Sequence, residues 1–161
     1  MSKGSYLDLI DTLDQDSRTG EVLPILTYTI SIAEVFMFSA ITWNRHRIHY
    51  DKDRAIKEGH EGVLVQRGFI GNILCRYINE IFIDPKIEKL HWKVLNSTLA
   101  GSTLTASGII SKSIRTVDGM KLQLMLVLSN DLKVQVCQGS AEVHQSIQHD
   151  IRLFPIIPYK N

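Results

Sequence analysis

Length, composition and charge limit what this chain can be. It has 161 residues, of which 44% are hydrophobic and 22% charged, and its formal net charge is +1. A chain of this length can bury about 70% of its unfolded surface. We therefore expect one compact domain over residues 1–161, with residues 1–22 as a loosely docked arm. The small net charge predicts no general attraction to nucleic acid or to acidic lipid.

The cysteines and the apolar segments predict where in the cell the protein is found and whether it crosses a membrane. Cys75 and Cys137 lie in apolar segments without metal-ligand spacing, so we interpret them as core residues of a reducing compartment. No apolar run approaches the roughly 20 residues that span a bilayer, and the first 20 residues are too acidic for a signal peptide. We predict a cytoplasmic protein that binds neither membranes nor nucleic acid. We also predict no metal site and no cofactor.

The first half of the chain predicts a strand, two helices and a polar loop. Residues 26–30 alternate as a strand does. Ser31 and Glu34 have the spacing of a capping box, which predicts a helix that ends near Thr42. After a polar loop, we expect Asp53 to cap a short helix over 54–58, followed by a short strand over 63–65.

The second half predicts one long apolar helix and then only strands. From Gly68 onward, apolar residues recur with helical period over about fifteen residues. Strands are expected near 90–95, 101–112, 121–128 and 132–144. The tail over 152–159 contains two prolines, so we expect it to lie extended over a sheet edge. This order predicts an α+β domain in which an antiparallel meander wraps around one helix.

The polar loop carries a long motif. This motif resembles that of the MaoC-like hydratases and dehydratases of the hot-dog fold, and most of all the branch with mesaconyl-CoA hydratase and the fungal-synthase-like 3-hydroxyacyl-thioester dehydratases. The resemblance implies a single hot-dog domain. The motif consists of Phe38, Ser39, Ala40, Thr42, Asn44, His46, Arg47, Ile48, His49, Tyr50 and Asp51.

The resemblance also implies catalytic roles for two residues of this loop. His49 falls on the catalytic histidine of the family, and imidazole titrates near neutral pH, so we expect it to be the acid/base. Asn44 stands where most of the family has an aspartate, and an amide does not usefully accept a proton. In the branch with the longer motif the asparagine is itself the pattern, which implies that it positions substrate or water. The alternative is a changed or lost reaction.

Further residues near the motif have both a functional and a structural interpretation. The resemblance implies that the Gly68 N–H faces the thioester carbonyl, although a glycine there also lets helix and sheet approach closely. His46 and Asp51 either orient His49 or hold the loop together. Arg67 either binds an anionic group of the substrate or points into solvent. A basic cluster is expected either to bind phosphates of coenzyme A or a carrier protein or to be solvated. It contains Arg45, Arg47, Lys52, Arg54 and Lys57.

The resemblance, together with these residues, predicts an enzyme. The expected activity is reversible addition or elimination of water on enoyl or 3-hydroxyacyl thioesters carried by coenzyme A or acyl carrier protein, in a homodimer. A non-catalytic thioester-binding subunit is the first alternative, because the usual aspartate is missing. A different hot-dog reaction, by a thioesterase or a cyclase, is the second.

Overall fold

The computed structural model describes residues 18–146. Residues 1–17 of the predicted arm, which was expected over 1–22, and the predicted extended tail lie outside the described residues. The elements are β1 (Leu26–Thr29), helix α1 (Ile32–Ile41), a 3₁₀ turn (Arg47–His49), helix α2 (Lys52–Lys57), helix α3 (Arg67–Ile81), β2 (Lys86–Val94), β3 (Thr103–Arg115), β4 (Gly119–Asn130) and β5 (Gln135–Ser146).

The strands form one antiparallel sheet in the order β1-β3-β4-β5-β2. Strands β3, β4 and β5 are a meander, as predicted. The prediction that all four strands after α3 form one meander is wrong, because β2 pairs with β5 at the far edge of the sheet and not with β3. Residues ahead of β1 extend the opposite edge, where Val22 bridges to Ile109.

Helix α3 is the element around which the sheet packs, as its apolar periodicity predicts. Its buried positions share the face turned toward the inward side chains of β3, β4 and β5. Tyr77 is fully buried among them, and its hydroxyl donates to the carbonyl of Pro24 at 2.7 Å. The buried residues of this helix are Phe69, Ile70, Gly71, Ile73, Leu74, Tyr77, Ile78 and Ile81. This arrangement confirms the predicted α+β class.

The predicted start of α1 is confirmed in detail. The Ser31 hydroxyl accepts from the Glu34 N–H at 3.2 Å, and the Glu34 carboxylate accepts from the Ser31 N–H at 2.8 Å. The helix ends at Ile41 with Thr42 as its C-cap. Two donors at the first turn are thereby satisfied, which fixes where the helix begins.

Local irregularities shift the starts of two strands, β2 and β5, from their predicted positions. Strand β2 begins at Lys86, since a bulge between Ile87 and Lys89 hides the alternation of the first residues. Strand β5 begins only at Gln135. The turn before it is longer than predicted, because the Asn130 side chain accepts from the N–H groups of both Leu132 and Val134.

Two predictions around the polar loop are wrong. Asp51, not Asp53, caps α2: its side chain accepts from the Arg54 N–H at 2.9 Å, and the helix starts at Lys52. Residues 63–65 form no strand beyond one isolated bridge from Leu64 to Leu99. The N–H groups of this segment bond to loops instead, as Leu64 does to Ile48 at 3.0 Å.

Candidate active site

A cavity of about 770 Å³ opens where the polar loop meets the start of α3. Its walls come from the end of α1, the 3₁₀ turn, residues 64–68 and the segment that leaves β2. Apolar atoms contribute most of the lining surface, while eight of the sixteen lining residues have polar side chains, a combination that suits a small-molecule site. The lining residues are Phe38, Thr42, Asn44, Ile48, His49, Leu64, Val65, Gln66, Arg67, Gly68, Ile70, Val94, Leu95, Asn96, Ser97 and Thr98.

His49 lies half-buried in this wall with one ring nitrogen occupied. Its Nδ1 is 2.8 Å from the carbonyl oxygen of Leu64. A carbonyl only accepts, so in the neutral ring Nδ1 carries the proton and Nε2 keeps a lone pair. Burial lowers the pKa of His49 below its ordinary value; the bond to Leu64 opposes this, and nearby His46 lowers it further. The neutral ring with a basic Nε2 is therefore favoured near neutral pH.

The 3₁₀ turn is fastened to the segment that leads into α3. Ile48 is only 8% exposed and anchors the turn in the interior. The Leu64 N–H donates to the Ile48 carbonyl at 3.0 Å, while the Leu64 carbonyl accepts from His49. The same short segment thus fixes both the backbone and the ring of the histidine, which limits the orientations open to it.

Asn44 is positioned by the way α1 ends. The Asn44 N–H donates to the Ser39 carbonyl at 2.9 Å, and the Trp43 N–H to the Ala40 carbonyl at 3.4 Å. These are the two hydrogen bonds of a Schellman motif, in which the residue after the C-cap, here Trp43, takes the left-handed conformation. Trp43 has φ 55° there, where a non-glycine residue costs about 1–3 kcal/mol. The Asn44 Oδ1 then accepts from the His46 N–H at 3.1 Å, which closes the next turn.

Gln66 is a site residue that the sequence analysis missed. It is 3% exposed, and its Nε2 donates to the Val35 carbonyl at 2.8 Å and to Ser39 Oγ at 2.7 Å. These bonds join the start of α3 to α1 beside the cavity. Two of the lining side chains hold buried oxygens without a hydrogen-bond partner among the described residues, namely Gln66 Oε1 and Thr98 Oγ1. A glutamine in an apolar run just ahead of a long helix was the available signal.

Arg67 and Gly68, both predicted as site residues, lie on the cavity wall. They are the first two residues of α3, so their N–H groups have no carbonyl one turn earlier in the helix. The Arg67 carbonyl accepts from the Trp92 indole at 3.1 Å. A Cβ on Gly68 would lie 3.3 Å from the Phe38 ring, so this glycine also permits close packing against α1.

The remaining predicted residues lie outside the cavity lining. His46 stacks edge-on to His49, with ring centroids 5.8 Å apart, and its Nε2 is 3.3 Å from the Glu58 carboxylate. Asp51 caps α2 and pairs with Arg47, and these contacts lower the pKa of its carboxyl group.

Two of the five members of the basic cluster, Arg47 and Arg54, are engaged with carboxylates. Arg54 pairs with Glu58 at 2.6 Å, whereas Lys52 is exposed without an ion pair in the described part of the chain. No group of three or more His, Cys, Asp or Glu side chains within residues 18–146 has the arrangement to hold a metal ion. None of the described helices is long and apolar enough to cross a membrane.

The sequence matches the family model of hydroxyacyl-thioester dehydratase type 2 over residues 13–100, which include every residue of the polar loop. Over 87 residues the chain is 26% identical to the mitochondrial hydroxyacyl-thioester dehydratase type 2 of Saccharomyces cerevisiae. That match covers 53% of this chain and 31% of the yeast protein. The chain thus spans less than a third of that relative. Because the relative is named as mitochondrial, the cytoplasmic location stays a prediction.

Solved structures share the fold at low sequence identity. The (R)-hydratase from A. caviae involved in PHA biosynthesis has a TM-score of 0.72 at 16% identity, covering 81% of this chain and 98% of its own. R-hydratase PhaJ1 from Pseudomonas aeruginosa has 0.74 at 14% identity, covering 89% and 91%. The ChsH1-ChsH2 complex from Mycobacterium tuberculosis has 0.68 at 20% identity, covering 81% and 99%. These similarities establish the hot-dog fold.

Proposed function

Because the chain belongs to the hydroxyacyl-thioester dehydratase type 2 family of MaoC-like hot-dog proteins, we propose that it adds water to enoyl thioesters and eliminates it from 3-hydroxyacyl thioesters. The observation that carries the proposal is the cavity in which Asn44 and the half-buried His49 share one wall with the start of α3. Its largely apolar surface suits an acyl chain, and its polar side chains suit the reacting atoms.

His49 Nε2 moves the proton in this proposal. During hydration it takes a proton from water as the water oxygen bonds to Cβ and the electrons of the double bond move toward the thioester carbonyl. The imidazolium then returns the proton to Cα, so one water is consumed and the histidine ends neutral. Dehydration runs through the same steps in reverse. The bond from Nδ1 to the Leu64 carbonyl supports this role, since it keeps the lone pair on Nε2.

The start of α3 stabilises the charge that develops on the thioester oxygen. The Gly68 N–H is left without a helical partner and lies at the positive end of the helix dipole. A hydrogen bond from this N–H to an enolate-like oxygen would strengthen as negative charge accumulates, which is what lowers a barrier. Arg67 contributes positive charge on the same wall.

Asn44 positions the water or the 3-hydroxyl group and does not exchange protons. Its Oδ1 is used by the His46 N–H, so the Nδ2 amide remains to donate to an oxygen in the cavity. With an amide at this position the site has one proton-transfer group. A non-catalytic thioester-binding subunit is the alternative that this amide favours.

Turnover of a simple substrate separates these two functions. Crotonyl-CoA and a crotonyl-loaded carrier protein are incubated with the protein, and loss of the enoyl absorbance is followed. The proposal expects steady hydration of at least one of them. Binding of both without any absorbance change would favour the non-catalytic subunit.

We also propose that the working unit is a homodimer formed through β2. This strand is nine residues long and lies at an edge of the described sheet, where its outward backbone groups can pair with another chain. Pairing two copies of one edge gives a symmetric interface. Sedimentation equilibrium at micromolar concentration is expected to give twice the chain mass; a stable, fully active monomer would contradict this assembly.

A further inference from the structure

Trp43 has a left-handed backbone conformation, in which a glycine would be more stable than a tryptophan. It has φ 55° at the end of α1, where glycine is the usual occupant. The residue is 75% exposed, so little apolar burial offsets the unfavourable backbone. The residue combines an unfavourable backbone conformation with an exposed aromatic side chain, which suggests a functional role and not a structural one.

The position of Trp43 relates it to the cavity. Its two neighbours in the chain, Thr42 and Asn44, both line the cavity, whereas Trp43 does not, so its exposed side chain lies beside the cavity and outside the lining. The guanidinium carbon of Arg45 is 5.8 Å from the centroid of the indole ring. The Tyr50 hydroxyl donates to the Arg45 carbonyl at 2.9 Å, which holds the backbone of this segment. An aromatic ring and a cation therefore stand side by side on an anchored loop.

Arg45 is available to bind an anion. Among the described residues it forms no ion pair, whereas Arg47, two residues on, is paired with Asp51. A guanidinium group binds phosphate through several donors at once. An exposed aromatic ring stacks on a nucleobase, and arginine beside the ring adds to the attraction.

We propose that Trp43 and Arg45, here named the mouth platform, bind the adenine nucleotide end of a coenzyme A thioester while its acyl group occupies the cavity. The indole stacks on the adenine, and the guanidinium group binds a phosphate of the nucleotide. The proposal rests on the proposed function and goes further, because it identifies the carrier as coenzyme A and not as a protein.

The test compares two substrates that differ only in the nucleotide. Crotonyl-CoA and crotonyl-pantetheine carry the same acyl group and the same pantetheine arm, so the ratio of their kcat/KM values measures the contribution of the nucleotide. The unaltered protein is expected to prefer crotonyl-CoA. In Trp43→Gly this preference should fall about tenfold through a higher KM for crotonyl-CoA, which is the effect of one lost stacking contact.

Glycine at this position separates a binding role from a structural one. Since the left-handed backbone favours glycine, Trp43→Gly should melt no lower than the unaltered protein while it loses the preference. Ile41→Ala is the matched control, because Ile41 is also apolar and 79% exposed but lies outside the platform. It should keep the preference of the unaltered protein.

Each other outcome overturns the mouth platform. One such outcome is an unchanged ratio of the two kcat/KM values in Trp43→Gly. Another is an equal loss of kcat/KM on both substrates together with a lower mass in sedimentation, which would identify Trp43 as part of an interface between copies. If the unaltered protein hydrates neither substrate, the proposed function fails while the platform stays testable. Calorimetry must then detect adenosine 3′,5′-bisphosphate binding that Trp43→Gly loses, and no binding to the unaltered protein would overturn the platform.

Discussion

Replacing Gly71 with alanine tests how α3 is seated against β2. A Cβ at this position would lie 2.5 Å from Cε2 and 2.6 Å from Cζ2 of Trp92, well inside van der Waals contact. The indole is not free to swing away, since its Nε1 donates to the Arg67 carbonyl at 3.1 Å. The substitution therefore displaces either the ring or the first turn of the helix that borders the cavity.

Two opposing effects determine how much Gly71→Ala changes the free energy of unfolding. Overpacking in a well-packed region costs about 1–3 kcal/mol. Alanine in a helix interior is more favourable than glycine by about 1 kcal/mol. We expect the overpacking to dominate and Gly71→Ala to destabilise the fold by up to about 2 kcal/mol, the difference between the two effects. In a Trp92→Ala background the ring is gone, so the same substitution should instead stabilise the fold by up to about 1 kcal/mol.

Urea denaturation of the four proteins in this double-mutant cycle measures both values. The reversal of sign is the decisive result, because it isolates the contact between position 71 and the indole. Stabilisation by Gly71→Ala in the unaltered background would refute the reasoning, since it would mean that the ring accommodates the added methyl group at no cost.

Three further predictions concern the loop. Burial lowers the pKa of His49, and its neutral form is the base. The value of kcat/KM for hydration should therefore rise with pH through an apparent pKa below about 6.5, and a rise centred at a higher pH would contradict this. Asp51→Ala should destabilise the fold by about 1 kcal/mol because it removes the cap of α2. Asp53→Ala should destabilise it much less in the same urea titration, and equal losses of stability would refute the assignment of Asp51 as the cap. Asn44→Asp should lower kcat about tenfold, since a carboxylate repels the developing enolate, and a faster variant would argue that the site lacks a second base.

Features encoded by neighbouring residues were predictable from the sequence. The capping box of α1 needs only Ser31 and Glu34, and both bonds are present. The apolar period of α3 gave its length and its buried face. The polar-loop motif directed attention to Asn44 and His49, and both line the cavity. Their catalytic roles remain a proposal.

Features that depend on distant partners were not predictable in this way. Gln66 binds to Val35 and Ser39, which lie 31 and 27 residues earlier, and nothing in its own neighbourhood specifies either partner. The bulge after Ile87 displaced the alternation from which the start of β2 was inferred. Asp51 and Asp53 are both acceptable caps by residue type, and only the backbone geometry at Asp51 decides between them.

The rate of crotonyl-CoA hydration by His49→Ala tests whether His49 transfers the proton in thioester hydration. We expect a kcat at least about 100-fold below that of the unaltered protein, in line with the loss of a general acid/base. His60→Ala, a histidine outside the cavity lining, should keep a kcat near that of the unaltered protein, and circular dichroism should show both variants folded. A folded His49→Ala variant with undiminished kcat would contradict the account.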